Sequence, residues 1–368
     1  MQENARLKKE LSESAVSQSS VVGLTELLCI LHPNIMVDHI ASHEFKTQPH
    51  LQQFEDMALL FIDISGYTAL AQRLGQEGAV GTELLSNSLD DYFSQALSII
   101  YNAGGDCVKF CGDALICVFE RVDNERSTNC EMACSAALCL QAKLRNFKAA
   151  DDVVLDLKIC LGFGSLVCNY LGSNTYQHYE CLLTGSPLDQ LTKMDPVASP
   201  GEIILSSEFL SQVESIVITE PCSKKKHVRK LRSLKPTLLK KQWTSIIDGA
   251  DNNTSLLPAG KHRTVKLEIH HQNTLKLFSE SAILDRVRGV AGGWSRTTNP
   301  AKMLRERISR HEICSTIFLN INSRQFFSKN DTEVLAGLQI AFLAFYAPLR
   351  QYGGVLRQFL KDDKGFVA

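Results

Sequence analysis

One pattern occurs twice in this chain, and that repetition constrains the fold more than any other feature. Over residues 81–101, Leu84, Leu85, Leu89, Tyr92, Phe93, Ala96, Ile99 and Ile100 recur at helical spacing, and Gly104-Gly105 stop the run. Two apolar stretches, 107–110 and 114–119, then bracket Gly112-Asp113, which reads as a hairpin with an aspartate at its tip. From Ile313 the order returns: an apolar run to Ile321, a helical period over 334–349, Tyr352-Gly353-Gly354, and a strand-like run from Val355. Such an internal repeat predicts two copies of one supersecondary unit. The second copy is expected to be cut short at Ala368.

The rest of the first copy completes a domain. Residues 57–64 (MALLFIDI) form an apolar run of strand length, and Asp63-Ile64-Ser65-Gly66 turn it into a helix. A second helix is expected over 129–146, with Met132, Ala136, Leu140 and Leu144 on one face. Strands follow at 153–162, a hairpin return at 166–171, and further strands at 180–183 and 202–206. The sequence strand, helix, hairpin, helix, strand predicts an α+β fold with a ferredoxin-like βαββαβ core, its sheet covered by helices on one face. The domain bounds read as a leader over 1–52, with a short helix near 21–31, a first domain over 53–215, a linker over 216–310, and the start of a second domain over 311–368.

Composition narrows the class without naming a function. The 368 residues carry 39 Lys and Arg against 40 Asp and Glu, so no global field favours nucleic acid or an anionic membrane. Nine basic residues fall within 224–241, but no aromatics interleave with them, so the stretch reads as a solvated linker or surface hairpin. The 12 cysteines form no CxxC pair, which argues against a zinc ribbon and for buried thiols acting as small hydrophobes. The polar N-terminus has no apolar signal segment, and no apolar run reaches the roughly 18 residues of a membrane span, so a cytoplasmic location is expected.

Asp63 and Asp113 carry the chemical interest. One ends a central strand and the other tips the adjacent hairpin, so they converge if the strands are neighbours. Two close carboxylates repel unless a cation lies between them, and hard oxygen ligands suit Mg²⁺ or Mn²⁺. Ser65, Gly66, Tyr67 and Thr68 then open a helix whose free N–H groups attract an anion. A turn aspartate and a helix cap explain the same spacing and stay open on these grounds alone.

The strings FIDISGYTAL (61–70) and GGDCVKFCGDALI (104–116) resemble the catalytic domain of class III nucleotidyl cyclases, above all the soluble, bicarbonate-responsive adenylyl cyclase subfamily. The resemblance runs over about 58–209 and resumes over about 316–365. It implies two Mg²⁺ ions, replaceable by Mn²⁺, on Asp63, Asp113 and the carbonyl of Ile64, with Ser65 to Thr68 around the triphosphate of ATP. Lys109 matches a lysine linked in that subfamily to a bicarbonate pocket. Asn320 replaces the first aspartate in the second copy, so that copy is expected to supply base and transition-state contacts rather than metal ligands. Two departures stand out: Thr192 replaces an arginine of the bicarbonate-responsive kind, and Gln358 stands where adenylyl cyclases carry a base-reading lysine, which leaves GTP open. The implied activity is conversion of ATP to 3′,5′-cyclic AMP and pyrophosphate, with a complete second cyclase domain as partner in cis or trans. The alternative is a catalytically incomplete half that binds metal and nucleotide, or a guanylyl cyclase.

Overall fold

The computed structural model describes residues 24–25, 27–29, 31–42, 46, 48–121, 126–150, 153–222, 227–235, 269–279, 284, 316–321, 330–362 and 365–368. Most of the expected leader and linker therefore lies outside the described residues. The described residues begin with helical positions within 24–31 and α1 (Asn34–Ser42), followed by β1 (His50–Ser65). After it come α2 (Tyr67–Gly75), α3 (Gly78–Asn102), the hairpin β2 (Asp106–Cys111) and β3 (Ala114–Phe119), and α4 (Arg126–Leu144). The short β4 (Phe147–Lys148) precedes β5 (Val154–Ser173), β6 (His178–Gly185), α5 (Ser186–Met194), β7 (Ile203–Leu205), α6 (Ser207–Val213), β8 (Val217–Pro221) and β9 (Arg229–Leu234). Beyond them lie α7 (Ile269–Lys276), β10 (Asn320–Ile321), α8 (Asp331–Gln351), β11 (Leu360–Asp362) and β12 (Gly365–Val367).

The main sheet runs β2-β3-β1-β5-β7-β9-β8, with β6 paired to the far half of β5. Alternation along β1 sorts its side chains. Leu60, Ile62 and Ile64 enter one core with α2, α3 and α4, whereas Met57, Leu59 and Phe61 enter a second core on the opposite face. That second face, expected to be bare of helices, is covered by α1, α5 and Leu275 of α7. Asp63 shares the parity of Phe61 and so faces the α5 side, while Ile64 turns its side chain into the other core. Cys130 and Cys134, one helical turn apart on α4, are fully buried, and burial pushes both thiols well above their ordinary range.

Three expectations need correction. Residues 166–171 are not a returning strand: β5 continues unbroken for 20 residues, and the return is β6. The intervening residues 163–165 would have been the turn, yet Gly164 adopts φ 147°, which lets the strand bend opposite a register shift between Phe54 and Met57 in β1. The sheet also runs past 215, because β8 and β9 pair with each other and β9 joins β7. Finally, among the described residues one helix, α8, is long and apolar enough by length and composition to cross a membrane. One face of it meets the first unit, where Leu338, Phe342 and Tyr346 are buried with Leu171 and Leu182.

The repeat itself is visible in hydrogen bonds. At the end of α3, Gly104 has φ 80° and Gly105 N–H donates to Ile100 O at 2.9 Å; at the end of α8, Gly353 has φ 74° and Gly354 N–H donates to Leu349 O at 2.8 Å. Both are Schellman stops that need glycine for the left-handed residue. In the second copy the opening strand covers only Asn320–Ile321 of the described residues, and the hairpin starts at Leu360 rather than Val355.

His32 ties the N-terminal helices to this body. A ring nitrogen lies 2.7 Å from Leu28 O and the other 3.3 Å from Ser279 Oγ, with Phe278 edge-on at 6.5 Å. Burial lowers its pKa below 6.5, against the opposing pull of the Leu28 and Phe278 carbonyls and Glu180. A lowered histidine pKa means the unfolded chain binds the proton more readily, so the stability it contributes is present above pH 6.5 and is lost as pH falls below it. Protection factors for amide exchange in α1 are expected to fall as pH drops from 7.5 to 5.5, and less so in His32→Gln; an equal fall in both would contradict the assignment.

Candidate active site

Register places the two aspartates together. Asp63 pairs with Ala114 on β3, the residue after Asp113, and with Lys158 on β5. Gly112-Asp113 form the β2–β3 turn, with Gly112 at φ 70°. Asp63 and Asp113 line one cavity of about 260 Å³, together with Phe61, Leu188, Leu191, Asp195 and Lys361. The cavity is apolar on its α5 side and acidic at the sheet edge.

The ammonium of Lys158 lies 2.9 Å from Asp63 Oδ2 and 2.8 Å from Asp195 Oδ1. Burial alone would lower the lysine pKa, but hydrogen bonds and charge from Asp195 and Asp63 outweigh it and hold the group protonated. Asp63 therefore already accepts a cation, which is the donor chemistry a hard divalent metal needs. Among the described residues no three His, Cys, Asp or Glu side chains cluster closely enough to cage a metal. Two carboxylates completed by substrate phosphates are a common arrangement for Mg²⁺.

Ser65 to Thr68 follow directly. α2 starts at Tyr67 with Gly66 as its N-cap at φ 99°, and Gly66 has no side chain with which to cap the helix. A Cβ there would lie 2.9 Å from Val154 O, so the close approach of β5 and the left-handed backbone both call for glycine. The first-turn amides beside Asp63 are thus suited to an anion.

Two predicted residues fall elsewhere. Lys109 lines a separate cavity of about 310 Å³ with Arg357, Tyr101 and Phe278, and its ammonium lies 3.9 Å from Glu180 Oε2. Glu180 in turn holds His178 at 3.1 Å. Gln358 is half-buried and lines neither cavity. The side chain that the second copy contributes beside the aspartates is Lys361, which also forms an ion pair with Asp189 of α5. Sequence reasoning passed over Lys158, Asp195, Glu180 and Lys361. A lysine inside the apolar run VLDLKICLG was the available signal for Lys158.

Residues 50–235 match the family profile described as the adenylate and guanylate cyclase catalytic domain. The chain belongs to this family. Adenylate cyclase type 10 from Homo sapiens is 21% identical to this chain over 340 residues, covering 89% of this chain and 20% of that protein. The Mus musculus protein of the same name is 21% identical over 320 residues, covering 84% and 19%. The chain thus spans about one fifth of the length of the curated relatives it matches. Among solved structures, this chain resembles the guanylate cyclase domain of RhGC from Catenaria anguillulae in complex with GTP, at 20% identity and a TM-score of 0.43, covering 50% of this chain and 100% of that one. It also resembles the adenylyl cyclase CyaB from P. aeruginosa, at 18% identity and a TM-score of 0.44, covering 51% and 99%.

Proposed function

We propose that this cyclase unit converts ATP to 3′,5′-cyclic AMP and pyrophosphate at the cavity between the β1 end and the β2–β3 turn. The observation that carries the reading is the meeting of Asp63 and Asp113 in one cavity beside the α2 N-terminus. Asp63, Asp113 and the backbone carbonyl of Ile64 are the groups that would hold two Mg²⁺ ions. Bound there, the ions would acidify the ribose 3′-hydroxyl and offset charge on the departing pyrophosphate. The amides of Ser65 to Thr68 receive the triphosphate, and Lys158 adds a positive charge next to it. Phe61, Leu188 and Leu191 exclude water from the side where the 3′-oxygen meets the α-phosphorus, which favours ring closure over hydrolysis. The new oxygen–phosphorus bond forms as the bond to pyrophosphate breaks, and the hydroxyl proton leaves to solvent.

A specific observation favours a second reading, nucleotide binding without turnover: Lys158 already neutralises Asp63, and a second cyclase domain would have to supply further contacts in cis or trans. Incubation of the purified chain with Mn²⁺ and ATP, or GTP, beside Asp63→Ala tests the proposal. Cyclic nucleotide from the parent and none from the variant supports it; equal yields overturn it. The nucleotide giving the higher yield sets the substrate. Bicarbonate is not expected to activate, because Glu180 engages Lys109 and Thr192 donates its hydroxyl to Asp189 O at 2.8 Å. Initial rates with and without bicarbonate at fixed pH should agree, and a several-fold rise would contradict this.

A further inference from the structure

Lys158 is shared almost evenly between two carboxylates, Asp63 at 2.9 Å and Asp195 at 2.8 Å. The two belong to different elements. Asp63 ends β1, whereas Asp195 follows α5 and opens a short 3₁₀ turn, Asp195–Val197, in which Pro196 fixes the backbone. Ala198 N–H donates to Asp195 O at 3.2 Å and to Met194 O at 3.1 Å, so the turn is held from both sides. All three charged side chains are largely covered, with 18% exposure for Lys158, 25% for Asp63 and 17% for Asp195. A contact of this kind persists only while each charge has a partner.

That arrangement has a consequence for any metal that uses Asp63. An ammonium 2.9 Å from the carboxylate competes directly with a divalent cation for the same oxygens, and the two cations repel strongly at such range in a site shielded from water. With Asp63 as its one carboxylate, Lys158 would have nowhere to go and would block the metal. Asp195 gives it a second place, less than 3 Å away, without exposing its charge.

We infer that Asp195 is a positioning residue that draws Lys158 off Asp63 as a divalent metal enters, and so sets the metal affinity of the site. This rests on the metal-dependent reading above and goes beyond it by assigning a residue outside the metal pair. Asp195 acts through Lys158, not as a ligand. When its charge is removed, Lys158 is left to Asp63 alone and the metal must displace a tighter pair. When Lys158 is neutralised, the competition disappears and Asp195 no longer matters.

Binding of Mn²⁺ to the nucleotide-free chain, followed by electron paramagnetic resonance, tests this in a double-mutant cycle. Asp195→Asn is expected to weaken Mn²⁺ binding about tenfold, since a single nearby charge pair is worth that order. Lys158→Gln should bind Mn²⁺ at least as tightly as the parent, and the double variant should match Lys158→Gln. Asp195→Glu keeps the carboxylate and should stay within about threefold of the parent, which separates positioning from a fold defect. Unchanged affinity in Asp195→Asn overturns the inference. So does a tenfold loss that persists in the Lys158→Gln background, because Asp195 would then act by its own charge. A parent chain that binds no Mn²⁺, or binds it equally after Asp63→Asn, overturns the metal site and this inference with it.

Discussion

Asp113→Asn is expected to lower Mn²⁺-dependent cyclic nucleotide formation by about a thousandfold, in line with the loss of one preorganised electrostatic group at a reacting centre. The substitution keeps the size of the side chain and the turn preference of the residue. Asp113 is half-buried at a hairpin tip, so the melting temperature should move by no more than about 2 °C. Activity and melting measured on the same preparation check both parts. A comparable loss of activity and of stability would mean that Asp113 holds the hairpin rather than a metal.

Phe342→Ala should have the largest effect on folding. Phe342 is fully buried in the cluster that joins the two copies, stacked on Tyr346 at 4.9 Å and edge-on to Phe345 at 5.6 Å. Truncation of a buried phenylalanine costs about 3–5 kcal/mol. The cost should fall on the second unit, because α8 reaches the first through a limited set of contacts. Among these Gln339 pairs with Gly172 in both directions, donating to its carbonyl at 2.8 Å and accepting from its N–H at 3.0 Å. Hydrogen exchange should therefore quicken in α8 and at the Gly172 amide while β1 and β3 stay protected. A uniform loss of protection through both units would show that they fold as one.

Much of this fold is legible locally. The apolar run of 57–64, the helical period before Gly104-Gly105 and the Gly112-Asp113 turn each specify a structure within a few residues, and each forms as expected. The repeat was legible for the same reason, since both Gly-Gly stops use one hydrogen-bond pattern. What local pattern could not give was pairing at a distance. Gly164 falls where a turn is expected, and only the long partner β1 shows why β5 bends there and continues. Lys158 reads as a stray charge in a strand until register sets it against Asp63 and the 3₁₀ turn brings Asp195 to its other side. Lys361 reaches the cavity in place of Gln358 because the β11–β12 hairpin begins at Leu360, later than the apolar pattern suggests. Asp63 and Asp113 were legible only as a strand end and a hairpin tip, and it is the pairing of β1 with β3 that brings them to one cavity.

On this reading the β1 end and the β2–β3 turn form a metal-dependent nucleotide site. Calorimetric titration of the chain with a non-cyclisable α,β-methylene nucleoside triphosphate, with and without Mn²⁺, checks this. Binding should require Mn²⁺ and should vanish in Asp63→Ala/Asp113→Ala. Metal-independent binding, or undiminished binding by the double variant, would contradict it.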